Sequence, residues 1–177
     1  MKFVIISDTH GNVANFKKAI NWMQKENIQL LLHCGDIGNP ESLKESLQNF
    51  TGKFLGVFGN MDADYKILIE EYNKIPNVKI AEKFLETKIE NKNIAITHKP
   101  DDARKMAESQ KFDLVFYGHT HKPWEEKVPV HPKLGSEGGG NCRLINPGEL
   151  AGQIFKPAFA VYNTETDLLE LKILEKL

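Results

Sequence analysis

The chain holds only two cysteines, Cys34 and Cys142, and neither sits in a Cys-x-x-Cys pair. Two thiols cannot build a disulfide framework, so a reducing compartment is expected and the chain reads as cytoplasmic. Long apolar runs are missing as well. The start, Met1-Lys2-Phe3-Val4-Ile5-Ile6, opens as a signal peptide does, but Asp8 and His10 interrupt it short of the ~7 to 15 apolar residues that a signal core needs. No later run approaches the length of a membrane span, so no membrane partner is expected. An excess of one charge is also lacking: 23 Lys and Arg face 24 Asp and Glu, a formal net charge of -1. A broad nucleic-acid surface is therefore not expected, although one nucleotide in a local pocket remains compatible. No linker rich in Pro, Ser or Gly divides the 177 residues, so a single domain over residues 1–177 is expected, long enough to bury a full core. A homo-oligomer is allowed, since nothing in the sequence reads the oligomeric state.

What is present is a repeated order of apolar run, polar loop and helix. Phe3 to Ile6 has the form of a strand buried on both faces and empties into Ser7-Asp8-Thr9-His10-Gly11-Asn12. Asn12 can cap a helix in which Phe16, Ala19, Ile20 and Met23 make one apolar stripe. Leu30-Leu31-Leu32 then leads into His33-Cys34-Gly35-Asp36-Ile37-Gly38-Asn39, and Pro40 suits the first turn of a helix carrying Leu43 and Leu47. Phe54 to Phe58 empties into Gly59-Asn60-Met61-Asp62, ahead of a short helix with Ile67 and Leu68. Strands alternating with helices imply a largely parallel α/β sheet, whose ligands gather beyond the carboxyl ends of the strands. After Pro76 shorter strands are expected at Val78–Ile80, Phe84–Ile89 and Ile94–Thr97, the last ending at His98. A helix beginning at Asp101 or Asp102 precedes the Leu114–Tyr117 strand. Beyond Pro123 the texture is mostly strand: Cys142–Ile145, Ala158–Tyr162 and Leu168–Leu174, where Leu169, Leu171 and Ile173 alternate with Glu170 and Lys172 and predict one buried face. The glycine-rich Gly135 to Gly140 reads as a mobile hairpin tip before it reads as a lid.

The chemistry gathers around Gly118-His119-Thr120-His121. Two histidines two residues apart on extended backbone lean the same way, which begins a metal site, although a polar turn explains those four residues equally well. The balance moves because Asp8, His10, Asp36, Asn60 and His98 also follow predicted strands. With His119 and His121 they make seven nitrogen and oxygen donors without thiolate, a set suited to manganese, iron, nickel, cobalt or zinc. Seven donors exceed the needs of one ion. Two ions sharing a carboxylate would use them all, as phosphoester-cleaving sites do.

Asp8-Thr9-His10, Gly35-Asp36-Ile37-Gly38-Asn39, Gly59-Asn60-Met61-Asp62, Thr97-His98 and Gly118-His119-Thr120-His121 resemble, in order, the motif series of the calcineurin-like metallophosphoesterases, above all the small single-domain phosphodiesterases of bacteria and archaea. Asn146-Pro147-Gly148 looks like that subgroup's Asn-Pro-Gly turn. The resemblance implies an αββα sandwich of two sheets flanked by helices. It implies that Asp8, His10 and His121 hold one divalent ion, that Asn60, His98 and His119 hold the other, and that Asp36 bridges them, with Asp36, Asn60 and His98 carrying catalysis. Manganese is the first expectation for both ions. The implied function is phosphodiester hydrolysis of a small phosphoester substrate by in-line attack of a metal-bridging hydroxide, without a protein nucleophile. The alternative is a scaffold or adaptor of the same fold whose catalysis has lapsed, as in the retromer subunit that resembles this family; there the ligand positions would be eroded, and here all seven are intact.

Three positions depart from the pattern. Met61 stands where many relatives have a leaving-group-protonating histidine, Lys99 where glycine is common, and Glu149 where serine often follows the Asn-Pro-Gly turn; no chemistry for Glu149 is evident from sequence. His33 reads as a core histidine or one supporting the ligands, His131 as exposed, and Cys34 as a small packed side chain. Asp62 either orients a ligand or caps the next helix, and Asn39 forms its loop first.

Overall fold

Phe3, Val4, Ile5 and Ile6 are all fully buried, because their strand is covered on both sides. In the computed structural model, which describes residues 1–129 and 141–177, Val4 and Ile6 face one way and pack with Phe16, Ile20 and Met23, while Phe3 and Ile5 face the other way and pack with Ile96, Leu114 and Phe116. The first face is covered by helices and the second by another sheet, so the period-2 alternation of one strand separates two apolar layers.

The elements follow in chain order as β1 (Lys2–Ile6), α1 (Val13–Lys25), β2 (Leu30–His33), α2 (Pro40–Ser46), β3 (Lys53–Val57), a 3-10 turn (Ala63–Leu68), α3 (Ile69–Asn73), β4 (Val78–Ala81), β5 (Phe84–Ile89), β6 (Lys92–Thr97), α4 (Pro100–Glu108), β7 (Leu114–Phe116), β8 (Trp124–Pro129), β9 (Asn141–Asn146), β10 (Ala158–Asn163) and β11 (Leu168–Ile173). One sheet has the order β11-β10-β1-β2-β3-β4 and the other β5-β6-β7-β9-β8. Strands β1 to β4 run parallel, and so do β6, β7 and β9. A third apolar layer, in which Ala95, Val115 and Leu144 meet Ala103 and Ala107, seats α4 on the outer face of the second sheet. Helix, sheet, sheet, helix is the αββα architecture expected from the resemblance.

Local chemistry accounts for the helix starts. The Asn12 side chain accepts from the Asn15 N–H at 3.1 Å, and Asn39 accepts from the Ser42 N–H at 2.8 Å with Pro40 in the first turn of α2. Helix α4 begins at Pro100, slightly ahead of the expected Asp101 or Asp102, because proline's fixed φ and missing N–H suit the first turn and leave both aspartates at the positive end of the helix. The short helix expected around Ile67 is a 3-10 turn followed by α3. The alternation in β11 is only partly expressed: Leu171 is 47% exposed, since among the described residues β11 is an edge strand that pairs with β10 alone. His131 and the Gly135 to Gly140 segment lie outside the described residues.

Candidate metal centre

The loops after β1, β2, β3, β6 and β7 gather at one end of the sandwich, because parallel strands send their carboxyl ends the same way. Backbone hydrogen bonds extend the ladders into these loops. Asp8 N–H donates to Gly35 C=O at 3.0 Å, His10 N–H to Asp36 C=O at 2.9 Å, and Gly118 N–H to His98 C=O at 3.1 Å. The segment after β9 ties the sheets together: Leu150 N–H and Ala151 N–H donate to the carbonyls of Ser7 at 3.0 Å and Asp8 at 3.1 Å. Gly118 lets the loop after β7 lie against the loop after β1, because a Cβ there would stand 2.0 Å from Ser7 Oγ and 2.6 Å from Asp8 Oδ2.

The zipped loops hold an unusual backbone. Asp8, His10, Asp36, His119 and His121 all adopt left-handed φ, between 45° and 68°. Each such residue costs about 1 kcal/mol or more unless its surroundings enforce it, and strain of this kind concentrates at functional sites. It turns side chains from three of the five loops, those after β1, β2 and β7, toward one point.

All seven expected donors meet there. His121 Nε2 lies 3.3 Å from Asp8 Oδ1 and 3.5 Å from His10 Nε2. On the other side, Asn60 Oδ1 is 2.8 Å from His119 Nδ1 and 3.0 Å from His98 Nε2. Asp36 stands between, its Oδ2 3.4 Å from His98 Nε2 and 3.9 Å from His10 Nε2, while its Oδ1 accepts from the Met61 N–H at 2.8 Å. Asp8, His10 and His121 offer ligand atoms within 4.8 Å of one another, and so do Asp8, Asp36 and His98, so Asp8 reaches toward both halves.

This donor set fits divalent cations. His98 Nδ1 is 2.8 Å from the Cys34 carbonyl, which can only accept, so the ring's proton belongs on Nδ1 and a neutral ring turns its Nε2 lone pair toward the oxygens of Asn60 and Asp36. Lone pairs facing lone pairs need either a proton or a cation between them. Burial opposes protonation of His98, but the Asp36 carboxylate outweighs it and raises the His98 pKa. Burial lifts the Asp8 carboxyl above its ordinary range, against the pull of His98. For Asp36, burial is outweighed by His98 and the Met61 N–H, which hold its carboxyl below the usual range. A divalent ion competes with these protons for the same lone pairs.

Four residues support the basin. Asp62 is fully buried and accepts from three backbone N–H groups, Ile37 at 3.1 Å, Gly38 at 3.1 Å and Gly59 at 2.8 Å, clamping the Asp36 loop to the Asn60 loop. Of its two expected roles this is the orienting one, exercised through the backbone of the donor-bearing loops rather than by capping the next helix. His33, packed between Phe16 and Phe54, accepts from the Gly35 N–H at 3.1 Å on Nδ1 and so donates from Nε2 to Thr9 Oγ1 at 3.0 Å; Thr9 donates in turn to the Ile37 carbonyl at 2.9 Å. Asn146 donates to Gly118 C=O at 2.8 Å and to Thr120 Oγ1 at 3.0 Å, fixing the two-histidine loop. Glu149, which sequence left without a role, lies buried beside His121. An acid directly after a turn that leads into a buried segment was the available signal. Cys34 is buried and its thiol is pushed far up by burial, so it packs rather than reacts. Replacing Asp62 with Ala would strand three N–H groups; unfolding of the metal-free protein in urea is expected to show a loss of about 3 kcal/mol or more, and a loss under about 1 kcal/mol would contradict the clamp.

Nitrogen and oxygen donors converging from five strand ends of a two-sheet sandwich define a metal-dependent class of protein. The chain belongs to the calcineurin-like phosphoesterase superfamily, whose domain model matches residues 1–167. It is 32% identical over 168 residues to a phosphodiesterase of Methanocaldococcus jannaschii, spanning 93% of this chain and 94% of that protein. A probable metallophosphoesterase of the same organism is 30% identical over 157 residues, 81% of this chain and 65% of the relative. Among solved structures, an archaeal phosphodiesterase superposes with a TM-score of 0.83 at 29% identity, covering 98% of this chain and 99% of that one. The E. coli phosphoesterase Yfce shares the fold, with a TM-score of 0.66 at 20% identity over 99% of this chain and 94% of its own.

Proposed function

We propose that residues 1–177 form one phosphodiesterase domain that hydrolyses a small phosphoester with two divalent ions, manganese in the first instance. The observation that carries this reading is the position of Asp36 Oδ2 between His98 and His10, 3.4 Å from the first and 3.9 Å from the second. Asp8, His10 and His121 would hold one ion, Asn60, His98 and His119 the other, and Asp36 both. Bound there, the ions supply charge neutralisation for the phosphoryl oxygens and acidify water.

The chain's own residues set the rest. The bonds between loops fix the donors before substrate arrives, which is the form electrostatic preorganisation takes. A cleft of about 330 Å³ beside Asn60 and His98, walled by Phe58, Lys83 and Lys99, offers room for one arm of a diester. Lys99 lies exposed at its rim, where it can meet a phosphate. The two buried free cysteines suit a reducing cytoplasm, and no described helix is long and apolar enough to cross a membrane.

The direct test is hydrolysis of bis-p-nitrophenyl phosphate by the full chain with added Mn²⁺, together with metal content per chain. Turnover with two ions bound supports the reading; two ions without turnover on any of a panel of diesters, dinucleotides and cyclic nucleotides favours the lapsed scaffold. Met61 refines the expectation. It is 61% exposed beside Asn60 and has no proton to give. Aryl diesters, whose leaving groups need no protonation, are expected to be cleaved at least about 100-fold faster than alkyl diesters, and Met61→His to narrow that gap about 10-fold. Equal rates on both esters in the wild type would refute this assignment of Met61.

A further inference from the structure

Glu149 follows the Asn146-Pro147-Gly148 turn and is fully buried. A carboxylate has about four lone-pair positions. Oε1 accepts from the Ile154 N–H at 2.6 Å and from the Phe155 N–H, and Oε2 accepts from the Gln153 N–H at 2.8 Å. Three positions are filled, and the remaining one belongs to Oε2. That atom lies 3.3 Å from His121 Nδ1. The ring approaches it off axis, and His121 Nδ1 is buried with no hydrogen-bond partner among the described residues. Nδ1 is the ring nitrogen within reach of the carboxylate's open position. Glu149 also holds the backbone of the same residue, its N–H donating to the His121 carbonyl at 3.1 Å.

An imidazole with its proton on Nδ1 presents the Nε2 lone pair, and here Nε2 is the atom facing Asp8 and His10. A carboxylate that accepts from the far nitrogen of a ligating histidine fixes the tautomer and makes the near nitrogen a stronger donor. We propose that Glu149 is a positioning residue: it keeps the proton of His121 on Nδ1 and thereby tightens the grip of the Asp8, His10 and His121 corner on a divalent cation. Because the carboxylate is already locked by three amides, the ring adapts to it rather than the reverse. The inference rests on the metal centre proposed above.

The test uses the full chain with zinc as a diamagnetic probe, comparing wild type with Glu149→Gln and Glu149→Ser. In Glu149→Gln the amide NH₂ can face Nδ1 and favour the opposite tautomer. Nitrogen-15 imidazole spectra of the wild type, free and zinc-loaded, are expected to show the His121 proton on Nδ1. Calorimetric titration is expected to show one of two zinc affinities weakened about 10- to 100-fold in both variants and the other little changed. A wild-type proton on Nε2, or variant affinities within about twofold of wild type, overturns the inference while leaving the metal centre standing; a purely structural role for Glu149 would move thermal stability without moving the tautomer. A wild-type chain that takes up no zinc overturns both. The tautomer is read on the unaltered protein, so the test survives a variant that fails to fold.

Discussion

An Asp36→Ala variant is expected to lose at least about 10³-fold in hydrolysis of bis-p-nitrophenyl phosphate and to bind no more than one divalent ion per chain. The expectation follows from how the carboxylate is shared. Oδ1 is committed to the Met61 N–H at 2.8 Å, which orients the group, and Oδ2 alone faces His98 at 3.4 Å and His10 at 3.9 Å. Removing it would take away the negative charge that the proposed pair of cations would share, so occupancy and rate should fall together. Asp36→Asn separates charge from shape: the amide oxygen can keep the Met61 hydrogen bond while the charge is gone. If Asp36→Asn folds as the wild type does yet loses the second ion, the charge is the cause. Elemental analysis beside steady-state rates checks both variants, and a variant that keeps two ions and a rate within tenfold of wild type would defeat the proposed role of Asp36.

The donors were legible in the sequence for a geometric reason. Parallel strands deliver their carboxyl ends to one side, so residues as far apart as Asp8 and His121 can be placed together once the strands are read. The αββα layering followed from the resemblance alone; the residues showed a first half alternating strand and helix and a strand-rich second half, which agree with it. What stayed hidden depends on contacts between segments distant in sequence. Asp62 meets N–H groups on the Asp36 loop, and Glu149 meets a ring 28 positions before it; neither pairing has a periodicity to betray it. Edge effects were hidden for the same reason, since the exposure of Leu171 is set by β11 lying at the sheet margin rather than by its alternating residues.

His33 is expected to make the metal-free protein acid-sensitive. Burial, with the charge of His98 adding to it, drives its pKa down to about 3 from the ordinary 6.5. The unfolded chain therefore takes up a proton near pH 6.5 that the folded chain refuses until about pH 3. Stability from the neutral ring is complete above 6.5 and is lost as pH falls from there toward 3, amounting to about 2 kcal/mol between pH 7 and pH 5. His98 has the opposite sign. Its raised pKa favours the folded state in acid, an advantage lost as pH rises through the folded value, so it partly masks the effect of His33. Comparison with His33→Gln isolates the difference: urea unfolding of the variant should depend less on pH over that interval by about 2 kcal/mol. Imidazole spectra supply a check on the wild type, in which the His33 ring should stay neutral down to about pH 4; a ring that titrates near 6.5 would refute the assignment. The consequence reaches the metal site. His33 and Thr9 join the loop bearing Asp8 and His10 to the loop bearing Asp36, and a proton added at His33 Nδ1 takes from the Gly35 N–H, next to Asp36, its acceptor.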